Sequence, residues 1–337
     1  MTNTTPEATG LYRLSEVLAA TDARLGEEDV AGLGPWATGF DPLDGHLAGG
    51  LRPGELTLLG GPQGLGKTTF ALQVARTAIA AGHAVLYVSF EHGAVNLLER
   101  LLAAESGELA GDHGVSLKAV RALLEGDRSA ASLQEKFTRP GGSAHTLAAI
   151  TADLERLHVL RGGPTTDIAA ITAAIDTILA RGQGAPLVVI DYLQKIAAPA
   201  SLLEEETRMS FVAGAIKDLA LAFSVPVLAI SASDAAGIAE GARMRTQNLR
   251  GASALAYEAD VVLVLNEKYD VVARHHLVYG SANPERFHLY AVMSIEKNRG
   301  GRAGIDLEFR KRFDQAMFER EGQVVAEQLI DSRIFVE

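Results

Sequence analysis

Gly61-Pro62-Gln63-Gly64-Leu65-Gly66-Lys67-Thr68 decides the reading of this chain. The octapeptide fits the pattern G-x-x-x-x-G-K-[ST], in which glycines let successive backbone N–H groups curl around phosphate oxygens. The N-terminus of a following helix adds its positive end to the same site. Here Leu56–Leu59 is a short apolar run that reads as a buried strand, and Thr68–Ala81 reads as a helix. In that setting Lys67 is expected to reach the β- and γ-phosphates of a nucleotide, and Thr68 to place its hydroxyl on Mg²⁺. Gly61, Pro62, Gln63, Gly64, Leu65, Gly66, Lys67, Thr68 and the adjoining Thr69 form the candidate nucleotide-binding set.

Outward from the loop, apolar runs alternate with helical stretches. Ala84–Phe90, Leu187–Ile190, Pro226–Ile230, Val261–Leu265 and Tyr290–Ile295 read as further strands. Short apolar strands separated by helices predict an α/β fold with a mainly parallel twisted sheet flanked by helices. Gly107–Pro164 is rich in Ala, Gly and Ser with helical patches, and Pro140-Gly141-Gly142-Ser143 breaks it as a surface loop. Leu187-Val188-Val189-Ile190-Asp191 has the form of a Walker B strand, whose Asp holds magnesium directly or through water; a strand-terminal Asp also serves as a simple cap. Glu91 follows the second strand. The C-terminal ends of parallel strands gather at one edge, so Glu91 would face the same crevice as Lys67 and Asp191. It is either the group that orients and deprotonates an attacking water or a solvated carboxylate.

The chain has 337 residues, which by length alone predicts about two domains, or one large α/β domain with an appendage. Residues 1–10 are polar, lack a secretory pattern and are expected to be a disordered tail. Residues 11–36 are expected to be a linker helix and linker, with Leu11, Leu14, Leu18 and Leu25 on one face and Arg13, Glu16, Asp22 and Arg24 away from it. That apolar stripe must either fold back on its own domain or dock on a neighbouring subunit. The main domain is expected over 37–320 and a C-terminal tail over 321–337. With no cysteine there can be no disulfide, thiolate metal site or Cys nucleophile, which fits a reducing cytoplasm. The formal charge of −11 excludes binding nucleic acid by bulk charge but leaves room for a local basic surface. No apolar run reaches the length of a membrane span.

Gly50-Leu51-Arg52-Pro53-Gly54-Glu55-Leu56, the phosphate loop, Ser89-Phe90-Glu91, Ile190-Asp191-Tyr192-Leu193-Gln194, Asn248-Leu249-Arg250-Gly251-Ala252 and Lys297-Asn298-Arg299 occur in that order. In this they resemble the C-terminal, RecA-like ATPase domain of DnaB-type replicative helicases, over roughly Leu11 to Phe318. RadA- and KaiC-like ATPases fit the Asp-Tyr-Leu-Gln and Lys-x-Arg elements less well. The resemblance implies ATP and Mg²⁺ as ligands, Glu91 as the catalytic glutamate and Asp191 as the Walker B aspartate. It adds Gln194 to the nucleotide-binding set. It also implies that Lys297 and Arg299 reach into the ATP site of the next subunit of a hexameric ring, that the front helix docks on that neighbour, and that a loader or other protein is a possible partner. Without the resemblance, Lys297–Arg299 reads as a solvated basic turn.

Gly237–Ser253 is loop-like and carries Arg243, Arg245 and Arg250. In the resembled family the loop with the Asn248-Leu249-Arg250 counterpart lines the central pore, which makes these three the candidate contacts to single-stranded DNA; an Arg-bearing surface loop is the alternative. Three features depart from the pattern. Only a short arm precedes the linker helix, so the usual N-terminal collar domain is expected to be lacking. After the strand ending at Ile230 the chain reads Ser231-Ala232-Ser233-Asp234, placing an alanine where the family carries a phosphate-sensing Gln. Gly251 stands where an acidic residue usually follows the pore Arg, and Glu267–Pro284 reads as an enlarged, solvated hairpin carrying Arg274, His275 and His276. Two functions follow: a ring motor, helicase or translocase, on single-stranded DNA, or an ATPase switch that controls assembly or a protein partner without unwinding.

Overall fold

The structure is a computed structural model that describes residues 11, 13–26, 34–126, 132–138, 144–234, 242–278 and 283–331. The tail expected over 1–10, the loop expected at Pro140–Ser143 and the stretch 237–241 lie outside these residues. Ten strands are formed among the described residues: β1 (Leu56–Gly60), β2 (Val85–Ser89), β3 (Leu157–Arg161), β4 (Leu187–Asp191), β5 (Val227–Ile230), β6 (Val261–Glu267), β7 (Tyr290–Asn298), β8 (Ile305–Arg312), β9 (Met317–Phe318) and β10 (Gln323–Val324). They make one sheet in the order β10-β8-β7-β6-β1-β5-β4-β2-β3, with β9 paired to β8. From β6 through β3 every neighbouring pair is parallel, while β7, β8 and β10 extend the sheet antiparallel.

β1, β2 and β4 are buried along their whole length, as strands covered on both faces must be. Side chains alternate between two cores. Leu59, Tyr87, Val189 and Ile230 join Phe40, Phe70 and Phe309 on one face. Leu58, Val88, Ile190 and Ala229 meet Ile171, Ile175, Val212 and Ile216 of the helices Ile168–Ala180 and Glu205–Phe223 on the other.

The structure departs from expectation at the edges. β3 lies inside the stretch read as helical patches, and β8 falls where no strand is expected. The expected hairpin Glu267–Pro284 is helical where described: β6 runs directly into the turn Lys268–Val271, then Arg274–Val278. Its anchor is Lys268, buried between Glu308 and Glu327 with its ammonium over the rings of Phe287 and Tyr290. The same ion pairs hold part of the expected C-terminal tail, where β10 pairs with β8 and Leu329 bridges to Val272. At the other end, the helix Leu14–Gly26 leaves Leu14, Leu18 and Leu25 exposed, and Leu11 just ahead of it is exposed too. The stripe is not buried on its own domain.

Candidate active site

The C-terminal ends of β1, β2, β4 and β5 surround a cleft of about 720 Å³. Gln63, Gly64, Gly66, Lys67, Thr68, Thr69, Glu91 and Asp191 all line it. Leu65 is buried beneath. The phosphate loop needs its glycines for space as well as for conformation. Gly66 has φ 86° and a Cβ there would stand 2.7 Å from the Phe313 ring; Gly61 has φ 149° and would meet Leu265 at 3.0 Å. The helix Lys67–Ala80 starts at Gly66 with no side-chain cap, so its first N–H groups are left for an anion.

Within the cleft, Lys67 Nζ donates to the carbonyls of Gly61 at 2.6 Å and Pro62 at 2.7 Å. Burial lowers its ammonium from 10.5 to about 8, against the pull of Asp191 and Glu91. A depressed lysine pKa destabilises the folded chain below about pH 8, and the penalty is relieved as pH rises from there toward 10.5. Phosphates would stabilise the charged form. Nucleotide binding at about pH 8 is therefore expected to take up about half a proton, and almost none at about pH 6.5. Titration calorimetry in buffers of different ionisation enthalpy reads this directly; buffer-independent heats at pH 8 would contradict it.

Thr68 Oγ1 donates to Asp191 Oδ2 at 2.8 Å, and the buried Tyr87 hydroxyl donates to the same oxygen at 3.1 Å. Asp191 is 1% exposed, and burial raises its pKa despite both bonds. A buried carboxylate beside a hydroxyl, at the mouth of an anion-binding loop, is a pair of hard oxygen ligands that fits Mg²⁺. Among the described residues no cluster of three or more His, Cys, Asp or Glu could hold a metal unaided; phosphates and water would complete the ion's shell. Glu91 is set by a tight turn: Ser89 Oγ donates to His92 O at 2.8 Å and accepts from His92 N at 3.1 Å. Register places Ser89 beside Asp191, so Glu91 stands exposed at the cleft wall just past the Walker B strand.

The remaining expected residues divide. Gln194 is buried and does not line the cleft: its amide donates to Ser231 Oγ at 2.9 Å and Arg250 O at 3.1 Å and accepts from Ala232 N at 3.0 Å. It ties β4, the end of β5 and the Arg250 loop together. Arg243 is buried against Asp306 and Ser294, and Arg245 bonds Glu296 at 2.8 Å and Asp331 at 2.6 Å. Both guanidiniums brace the loop against β7, β8 and the C-terminal segment, so they do not form an open basic surface. Arg250 alone of the three lines the cleft, half-exposed and paired with Glu205.

Lys297 and Arg299 lie at the opposite edge of the sheet. β7 runs antiparallel to β6 with Asn298 opposite Val261, the first residue of β6. Five-residue strands such as β1 separate the two edges by about 17 Å. Arg299 Nη1 bonds Asp260 Oδ1 at 3.1 Å and Nη2 bonds Tyr257 O at 2.9 Å, with half its side chain exposed. Lys297 Nζ donates to Ala256 O at 2.7 Å, and burial then Arg299 lower its pKa.

Sequence reasoning missed Tyr87, Arg100 and Phe313. Tyr87 is hidden inside an apolar strand; a tyrosine among its aliphatic residues, two before the edge, was the available signal. Arg100 sits nine residues past Glu91 on the helix Ala94–Ala110 and lines the cleft, held at 3.0 Å by Asn96. Phe313, just past the end of β8, packs over Gly66 and lines the same cleft.

Residues 36–318 match the family described as the DnaB-like helicase C terminal domain. The chain is 31% identical over 200 residues to the DNA repair protein RadA of Mycobacterium tuberculosis, covering 57% of this chain and 39% of that protein. It is 25% identical over 289 residues to the replicative DNA helicase DnaB of Treponema pallidum, covering 85% and 56%. The chain thus spans about half the length of these curated relatives or less. Among solved structures, an isolated ATPase domain superposes with a TM-score of 0.69 at 18% identity, over 92% of this chain and 99% of that one. A DnaB-like replicative helicase studied with primase gives 0.64 at 17% identity, over 92% and 67%. These two likenesses establish the RecA-like fold. With the family match covering most of its length, the chain belongs to the DnaB-like helicase C-terminal domain family of P-loop ATPases.

Proposed function

We propose that this chain is a subunit of an ATP-hydrolysing hexameric ring that acts on single-stranded DNA as a helicase or translocase in the cytoplasm. One observation carries the reading: Lys67, Thr68, Glu91 and Asp191 converge at one edge of the sheet while Lys297 and Arg299 sit at the other. A chain built this way cannot bring Arg299 to its own phosphates. A second copy placed head to tail can, and a heterologous contact that closes makes a ring with one site per junction. The exposed Leu11, Leu14, Leu18 and Leu25 supply an apolar stripe for the same neighbour.

In each site Lys67 and the N–H groups of the phosphate loop hold the phosphate chain, and Thr68 and Asp191 hold Mg²⁺. The ion, when bound, neutralises phosphate charge. Glu91 orients a water and accepts its proton as the water oxygen bonds the terminal phosphorus and the bond to the bridging oxygen breaks, with ADP as the leaving group. The neighbour's Arg299 faces the charge that builds there, which makes turnover depend on assembly. The DNA-facing element is the Arg250 loop, with Arg243 and Arg245 bracing its described part against β7, β8 and the C-terminal segment.

A second reading, a switch acting on a protein partner without unwinding, is favoured by two features. Ala232 offers no side-chain bond to a phosphate, and Arg243 and Arg245 are occupied within the chain. Steady-state ATP hydrolysis with and without single-stranded DNA, at low salt so that counterions do not mask a few phosphate contacts, separates them. The motor reading predicts several-fold stimulation; rates indifferent to DNA would replace it with the switch.

A further inference from the structure

Asp191 closes β4 at the cleft, and its Oδ2 accepts from two hydroxyls of different character. Thr68 Oγ1 donates at 2.8 Å from the first turn after the phosphate loop, and the Tyr87 hydroxyl donates at 3.1 Å from inside β2. Oδ1 accepts from neither. The second bond follows from the sheet. β2 and β4 pair in parallel, with Tyr87 opposite Val189 and Ser89 opposite Asp191. Residues two apart along a strand share a face, so Tyr87 and Asp191 are diagonal neighbours on one side of the sheet. The step along the strand is about 6.6 Å, which a tyrosine spans and an aliphatic side chain does not.

Packing alone asks for no hydroxyl here. Val85, Leu86 and Val88 of the same strand are aliphatic, and the Tyr87 ring is fully buried in the core that holds Leu59, Phe70 and Val189. Its hydroxyl is also shut off from the chemistry. Thr68 is half-buried and lines the cleft, where a phosphate or an ion can change its contacts. Tyr87 is 0% exposed and is not among the cleft-lining residues. It is a donor to Asp191 that nucleotide and ion do not touch. Outer partners of this kind orient a carboxylate beside a metal, and losing one typically costs about tenfold to a hundredfold in metal affinity or activity. Asp191 is 1% exposed, so bulk water is a poor replacement for the lost donor.

We propose that Tyr87 is a positioning residue for the metal site: its hydroxyl fixes the Asp191 carboxylate so that Asp191 and Thr68 offer Mg²⁺ one arrangement of ligands. The assignment rests on the reading of the cleft as a site for nucleotide with Mg²⁺. Tyr87 acts through Asp191 alone. Removing its hydroxyl leaves Lys67 and the N–H groups of the phosphate loop to bind phosphate as before. What weakens is the gain in nucleotide affinity that Mg²⁺ brings.

The test is ADP affinity in saturating Mg²⁺ and in a metal chelator, for wild type and for Tyr87→Phe, which keeps the ring and loses only the hydroxyl. The ratio of the two affinities is the gain due to the ion. Tyr87→Phe is expected to lower that ratio by about tenfold and to leave the metal-free affinity unchanged, which also shows that the variant is folded. Asp191→Ala lowers the ratio by itself, and adding Tyr87→Phe to it is expected to change nothing further. A wild-type ratio in Tyr87→Phe overturns the assignment and leaves the hydroxyl as a buried donor that has found an acceptor. An equal loss with and without Mg²⁺ overturns it too and makes the residue part of the core. A further drop on the Asp191→Ala background would show that Tyr87 acts by another route. Wild type that binds no ADP removes the nucleotide site itself, and Tyr87's role with it. Wild type that binds ADP equally with and without Mg²⁺ keeps that site and removes the metal pair that Tyr87 serves.

Discussion

Arg299→Ala is expected to lower ATP turnover by about 10³–10⁵-fold while each subunit still binds nucleotide. Arg299 is on the far edge of its own sheet, about 17 Å of strand away from Lys67, so its removal cannot disturb the cleft in the same chain. Nor should it unfold the protein. Its guanidinium is half-exposed, and Asp260 keeps Lys217 Nζ at 2.7 Å and Leu56 N at 2.8 Å after the arginine is gone. In the proposed ring, what disappears is the positive charge presented to the neighbouring site as charge builds on the transferred phosphoryl. A kcat that falls with an unchanged affinity for ATP is the expected signature. Full activity of the assembled variant would remove Arg299 from the reaction.

Glu91→Gln is the second large effect, an expected drop in kcat of about 10²–10⁴-fold. Its carboxylate is exposed in the cleft mouth, and the turn that presents it is held by Ser89 and the His92 backbone rather than by the carboxylate itself. Glutamine keeps the shape and loses the basic oxygen. Nucleotide affinity should hold, giving a chain that loads ATP and stalls. Turnover at the wild-type rate in single-turnover measurements would send the search for the base elsewhere, with His92 the adjacent candidate in the cleft.

The centre of the sheet was legible because its strands carry two constraints at once. Leu56–Gly60, Val85–Ser89 and Leu187–Asp191 are buried on both faces, so they read as largely apolar runs, and each leads to a candidate site residue. Register then brings Lys67, Glu91 and Asp191 to one edge, as parallel strands require. The periphery was less legible for the matching reason. β3, Leu157-His158-Val159-Leu160-Arg161, is an edge strand of intermediate exposure with polar residues mixed in. β8, Ile305–Arg312, alternates apolar and charged positions from Ile305 to Arg310, a strand pattern that the search for unbroken apolar runs passes over. Without β8 and the turn that follows, Phe313 could not be placed over the phosphate loop.

Charge was the harder signal. Arg243, Arg245 and Arg250 are indistinguishable as letters in a Gly- and Ala-rich loop, yet their partners are distant in the chain, at Asp306, Asp331 and Glu205. Long-range ion pairs leave no local trace. Lys268 makes the same point, since its pairing with Glu308 and Glu327 turns an expected solvated hairpin into a packed helical excursion. Gln194 differs again: the family resemblance put it with the nucleotide, but polar groups of two other segments take up its amide.

Sharing of the ATP site between neighbours is tested most directly by mixing two inactive variants. Lys67→Ala leaves a chain with a good Arg299 and no competent loop; Arg299→Ala leaves the reverse. Each alone should be nearly inactive. Co-assembled in equal amounts, half the subunits keep the loop and half of those meet a neighbour with Arg299, so ATP hydrolysis should return to about a quarter of the wild-type rate. A mixture as inactive as its two components, although it assembles as wild type does, would contradict the shared site.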